Sequence, residues 1–428
     1  MTVLLTVLFA LLFFALIMAS IALHEVGHLV PAKLFGVKVT QYFVGFGKTL
    51  WSFRRGETEY GIKAFPLGGY VRLVGMYPPQ RHRADAKGRL ERLADQARAY
   101  EWEDIRPQDD GRLFFQKKTW QKVIVMLAGP AMNVLIAFVL FLGINVFHGS
   151  YEPTLTVEQV SECAVRADRA DQTCTQGDPS TPAALAGVST GDVLVSFNGT
   201  ELTSWEQMGD LIRDNRDQPA TVVVERDGEL VELPTVNTVL NYVPDRLDPT
   251  RMVEAGFFGV SPATALVRGG PVATAQQMWT LTKQSAVALA SFPVRIYNVA
   301  ADLVTGQPRD VNSPLSIVGA SRVAGEIGTT DSLEATEKVV TWVSLLAAVN
   351  LFVALLNLVP LLPLDGGHVA GAVYEWLRRV LARMSGRPDP GPVDTAKGLP
   401  ITYLVGGFLL LGGVVLILAD IISPIRLF

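Results

Sequence analysis

Charge is scarce in this chain. Of its 428 residues, 18% are Asp, Glu, Lys or Arg, where a soluble protein carries about 25%. The formal net charge is −4, so no basic footprint points to a nucleic-acid partner. Cysteine is scarcer still, with Cys163 and Cys174 the 2 in the sequence. Neither has a His or a further Cys nearby, which argues against a zinc site there. The opening "MTVLL" holds no basic residue, which argues against a cleaved signal peptide. Neither an internal repeat nor a low-complexity tract is evident.

What the chain has instead is long apolar runs, in a sequence that is 49% hydrophobic. Stretches at about residues 3–34, 123–147, 339–362 and 401–422 lie near or above the roughly 18 apolar residues of a membrane helix. Residues 36–122 carry "FRR", "RHR" and "QKKTWQK" close to two of these runs, and basic loops stay cytoplasmic. The loop 149–338 is more acidic than basic, and "YEWLRRVLARMSGRP" is basic again. Four crossings then put both termini outside. On that outer side Cys163 and Cys174, eleven positions apart, are expected to pair; two free buried thiols are the alternative.

The expected fold is a polytopic α-helical membrane protein. It has four transmembrane helices, a membrane-associated β-hairpin or sheet, and an extracytoplasmic β-rich module. Residues 1–35 form the first helix and 36–75 the hairpin, where aromatic and β-branched residues alternate around "RRGE". Residues 76–119 are a cytoplasmic loop, whose charged part reads as a solvated helix and loop, and 120–148 the second helix. The module spans 149–240, with short strands around the helical "SWEQMGDLIRDN". A region at 241–335 contains an amphipathic stretch from Thr274 to Val304 that can lie along a membrane surface. The third helix takes 336–367, a cytoplasmic loop 368–399, and the fourth helix 400–423.

"HEVGH" at 24–28 interrupts the first apolar run. Positions i and i+4 share a helix face, so His24 and His28 can present two imidazoles to one metal ion. Glu25 beside them can deprotonate a water, the logic of zinc peptidases. A polar network joining helices is the bland alternative. It must explain a carboxylate at membrane depth, which costs a few kcal/mol unpaired. Lys33 marks the cytoplasmic interface, nine residues beyond His24, so the site lies roughly 13 Å below it. A catalytic zinc needs a third protein ligand. Glu57 and Glu59 fall in the hairpin and are poor candidates. Asp365 in "NLVPLLPLDGGH" is the best one, with His368 its rival. Pro360, Pro363, Gly366 and Gly367 break that helix, and irregular backbone at membrane depth survives only where protein or a wet cavity satisfies it. Asn357 can meet a substrate backbone there.

With these motifs the sequence resembles the site-2 proteases, the intramembrane zinc metalloproteases. "HEVGH", "FPLGGYV" (65–71), "AGPAMN" (128–133) and "NLVPLLPLDGG" (357–367) occur in that family's order. "GDVLVSFNG" looks like the core of a PDZ domain, as in the bacterial members with one such domain. The resemblance implies that His24, His28 and Asp365 bind one zinc ion and that Glu25 is the general base. It implies that Asn357, Gly68, Gly69 and Pro360 meet the substrate, held extended along a sheet edge. It implies single-span membrane substrates, such as anti-sigma factors already trimmed outside, and leftover signal peptides. The setting would be a bacterial cytoplasmic membrane, with the PDZ domain outside. Two other classes remain to be weighed: an inactive relative that holds membrane helices, and a PDZ-bearing scaffold or transporter.

Overall fold

The structure is a computed structural model that describes residues 2–425 apart from 80–101, 103–104, 167–168, 170–172, 246–251 and 311. Most of the charged stretch expected as a solvated helix and loop, residues 81–101 and 103–104, lies outside the described residues. The chain divides into two compact units, one of Met1–Phe141 with Ala275–Phe428, the other Leu142–Thr274.

The first unit is mainly helical. Helix α1 (Thr2–Leu34) leads into strands β1 (Val39–Arg55) and β2 (Thr58–Leu73). Helix α2 (Thr119–Phe147) begins in this unit and ends in the other. Among the described residues five helices are long and apolar enough to cross a membrane. Four match the apolar runs read from the sequence. The fifth, Pro271–Thr305, contains the stretch read as amphipathic. Apolar side chains stand exposed along these helices, as with Leu11 on α1 and Leu135 and Val139 on α2. That is the pattern of a surface solvated by lipid rather than water.

The strands owe their shape to glycine. Gly45 and Gly47 take left-handed backbone conformations with φ of 92° and 85°, which lets β1 turn on itself between Val44 and Thr49. Residues Gln41–Val44 therefore pair with Gly69–Arg72 and also with Glu59–Ile62. The segment 69–73 is left as an edge that faces α1.

The second unit starts with the end of α2 and is built around a sheet. Its strands are β3 (Ser150–Val160), β4 (Val193–Phe197), β5 (Thr200–Glu201), β6 (Pro219–Ala220), β7 (Val222–Arg226), β8 (Glu229–Glu232), β9 (Val236–Asn237), β10 (Val239–Pro244), β11 (Met252–Phe257) and β12 (Val260–Val267). The main sheet runs β12-β3-β4-β7-β8. Helices α3 (Pro182–Ala186) and α4 (Trp205–Asn215) pack on a core of Val157, Leu194, Phe197, Met208 and Phe258. The sheet extends past residue 240, where the sequence reading ended it. The reason is non-local: β12 pairs with β3, Val260 opposite Val160. Cys163 and Cys174 are disulfide-bonded.

The remaining helices are α5 (Pro271–Thr305), α6 (Ile317–Thr329), α7 (Ala335–Leu358), α8 (Asp365–Met384) and α9 (Leu399–Ile422). Helix α6 packs on α1 and α7 through Phe13, Ile17, Ala320, Ala324 and Leu346. The stretch 336–367, read as one span, is two helices with a bend. Two prolines in Val359–Leu364 cannot donate ladder hydrogen bonds. The chain then turns back so tightly that a Cβ on Gly366 would sit 2.3 Å from the Leu358 carbonyl oxygen.

A buried ion pair ties α2 to α8. Lys122 Nζ donates to Glu375 at 3.0 Å, with side-chain exposures of 6% and 5%, and Glu375 also accepts the Val393 amide. Lys122→Met leaves that carboxylate buried without its main partner. It is expected to destabilise the protein by about 3–5 kcal/mol, read as a lowered thermal midpoint in detergent. An unchanged midpoint would show that the pair carries no stability.

Candidate active site

His24 and His28 lie one turn apart on α1, both buried, with Glu25 beside them at 9% exposure. Asp365 is the first residue of α8. The bend after α7 brings it to the imidazoles. His24 Nε2 is 3.2 Å from His28 Nε2. Asp365 Oδ2 is 3.4 Å from His24 Nε2 and 3.3 Å from His28 Nε2. Ligands at about 2.05 Å around a tetrahedral zinc are separated by about 3.3 Å. The three atoms therefore have the spacing of one face of such a tetrahedron. Asp365 Oδ2 is also buried with no hydrogen bond of its own. An unpaired carboxylate oxygen between two imidazole nitrogens fits a cation held among them.

The ring of His28 is fixed from behind. Its Nδ1–H donates to the Val125 carbonyl of α2 at 2.7 Å, which leaves Nε2 with a free lone pair. Close packing makes this possible. A Cβ on Gly27 would lie 2.4 Å from the Ala128 oxygen, and one on Gly129 would lie 2.1 Å from His28 Nε2. The glycine of "AGPAMN" thus leaves room for the imidazole.

A cavity of about 560 Å³ opens on these groups. It is lined by His24, Glu25, His28, Gly68, Gly69, Asn133, Asn357, Asp365 and His368, with apolar Ile21, Met126 and Val353. The sheet edge closes one side. A Cβ on Gly69 would be 2.9 Å from Glu25 Cγ, and the Val71 backbone amide faces the Glu25 carboxylate. Most residues singled out from the sequence thus meet in one cavity. Pro360 does not: it is exposed in the bend, and Pro363 lines the cavity instead. His368 shares the cavity but lies outside the ligand cluster. Glu57 bonds Arg112, and Glu59 accepts from Ser52; both belong to the hairpin. The sequence reading missed Val125, which acts through a backbone atom, and gave Asn133 no role.

Two imidazoles and a carboxylate at ligand spacing, beside a second carboxylate in a substrate-sized cavity, define a metallopeptidase-like centre. The comparisons agree. The family model described as Peptidase family M50 matches residues 12–387. The chain belongs to that family, and the resemblance to the site-2 proteases is borne out. It is 35% identical to the zinc metalloprotease Rip1 of Mycobacterium tuberculosis, over 97% of this chain and 98% of that one. The Mycolicibacterium smegmatis Rip1 is 34% identical over the same shares. Metalloprotease MmpA of Caulobacter vibrioides is 26% identical over 83% of each chain.

Gly129→Ala forces a methyl group into the His28 imidazole. It is expected to lower bound zinc well below one per chain, measured by metal analysis of the purified protein. Full zinc with full activity would show that the contact does not position His28.

Proposed function

We propose that this metalloprotease is an intramembrane zinc endopeptidase whose metal is held by His24, His28 and Asp365, one ion per chain. The observation that carries the reading is the 3.2–3.4 Å triangle of ligand atoms with Glu25 beside it. Bound zinc supplies a Lewis acid that polarises the scissile carbonyl and acidifies a water. Glu25 takes the proton of the attacking water and delivers it to the leaving amine. Gly68 and Gly69 let the substrate backbone come close to the sheet edge. Asn357 hydrogen-bonds and orients that backbone. A transmembrane helix hides its peptide bonds, so the substrate must unwind first. The sheet edge at 69–73 then offers backbone groups to the extended chain.

Four crossings are proposed, at α1, α2, α7 and α9. Phe13 packs on Trp342 with ring centroids 5.1 Å apart, and Ser20 accepts from Asn350 at 3.2 Å. Both contacts advance in the same direction, so α1 and α7 run parallel. Parallel spans need an odd number of crossings between them. Helix α2 supplies one, so a full crossing by α5 would break the count. Helix α6, with 13 residues, spans about 20 Å, too short to cross. The acidic loop and the disulfide support an extracytoplasmic PDZ domain, on a bacterial cytoplasmic membrane. The substrates are single-span membrane proteins, such as anti-sigma factors trimmed outside, and signal-peptide remnants.

The test compares wild type with Glu25→Gln in detergent on a single-span substrate, with zinc counted in both. Both variants are expected to hold one zinc, with cleavage by Glu25→Gln reduced at least about 100-fold. Undiminished cleavage by Glu25→Gln would overturn the mechanism. Zinc without cleavage by the wild type would favour a protein that holds helices without cutting them.

A further inference from the structure

The two imidazoles differ in their outer contacts. A metal-bound histidine almost always donates its other ring N–H to an acceptor, which fixes tautomer and ring orientation. His28 has the Val125 carbonyl. His24 Nδ1 is buried with no hydrogen-bond partner. On α2, Asn133 is 2% exposed, and its Oδ1 is likewise buried with no partner. One group needs an acceptor and the other needs a donor.

Helix spacing brings them to the same level. Val125, Gly129 and Asn133 follow at i, i+4 and i+8, so they share one face of α2. Val125 and Gly129 on that face already meet His28. Consecutive spans run antiparallel. One turn back along α1 from His28 therefore corresponds to one turn on along α2 from Gly129. Those positions are His24 and Asn133, and both line the same cavity.

We infer that Asn133 is the positioning partner of His24, its Oδ1 accepting the Nδ1–H when zinc is bound. Helix α2 then orients both imidazoles, one through a backbone carbonyl and one through a side chain. This assigns a role to the last residue of "AGPAMN". The inference rests on the proposed zinc role of His24. It does not make Asn133 a catalytic residue.

The experiment measures the zinc dissociation constant by chelator competition for full-length wild type, Asn133→Leu and Asn133→Asp in detergent. Asn133→Leu is expected to weaken zinc binding 10- to 100-fold. Asn133→Asp keeps an acceptor and is expected to stay within a few-fold of wild type or bind more tightly. Asn133→Ser removes the reach of the acceptor without adding bulk, and serves if the leucine variant does not fold. Equal zinc affinity in folded Leu or Ser variants would overturn the inference. So would equal weakening in the Asp and Leu variants, which would mark a packing role. Failure of the wild type to bind zinc would instead overturn the metal assignment on which this rests.

Discussion

Three polar atoms crowd within 3.4 Å of one another inside an apolar helix bundle, and much of the first unit serves that crowding. A cation held between two imidazole nitrogens and a carboxylate oxygen at this spacing would satisfy all three at once. Removing them from water is otherwise costly. The surrounding structure supplies what a cation would require. Helix α1 sets the two histidines one turn apart. The bend after Leu358 returns the chain so that Asp365 arrives from the other side. Glycines at 27 and 129 let α1 and α2 approach until a backbone carbonyl reaches His28.

The same arrangement accounts for the sheet edge. Peptide bonds in a membrane helix are protected by their own hydrogen bonds, so a protease there needs a surface that rewards unwinding. Segment 69–73 pairs with β1 on one side and faces Glu25 with the other. Gly69 has no side chain to obstruct that approach. The ion pair of Lys122 with Glu375 works at longer range. It joins α2, which backs His28, to α8, which begins at Asp365. Disturbing either helix would therefore be felt at the site.

Local features were the legible ones. The spacing of His24 and His28 is a property of one helix turn and needs no knowledge of the fold. Asp365 stood out because an intramembrane carboxylate beside two prolines is rarely accidental. What escaped was non-local or lacked a side-chain signature. The Val125 carbonyl looks like any other carbonyl in a sequence. The partnership of β12 with β3 joins residues about a hundred positions apart, so the sheet was cut short at 240. The double pairing of Gln41–Val44 depends on glycine conformations that a strand pattern does not disclose. Pro360 and Pro363 read alike, and only the path of the bend separates the exposed one from the one in the cavity.

Asp365, rather than the neighbouring His368, completes the cluster of candidate metal ligands with His24 and His28. Zinc stoichiometry of purified Asp365→Ala and His368→Ala tests it most directly. Asp365→Ala is expected to lose its zinc while His368→Ala retains one ion per chain. Zinc retained by Asp365→Ala and lost from His368→Ala would contradict it.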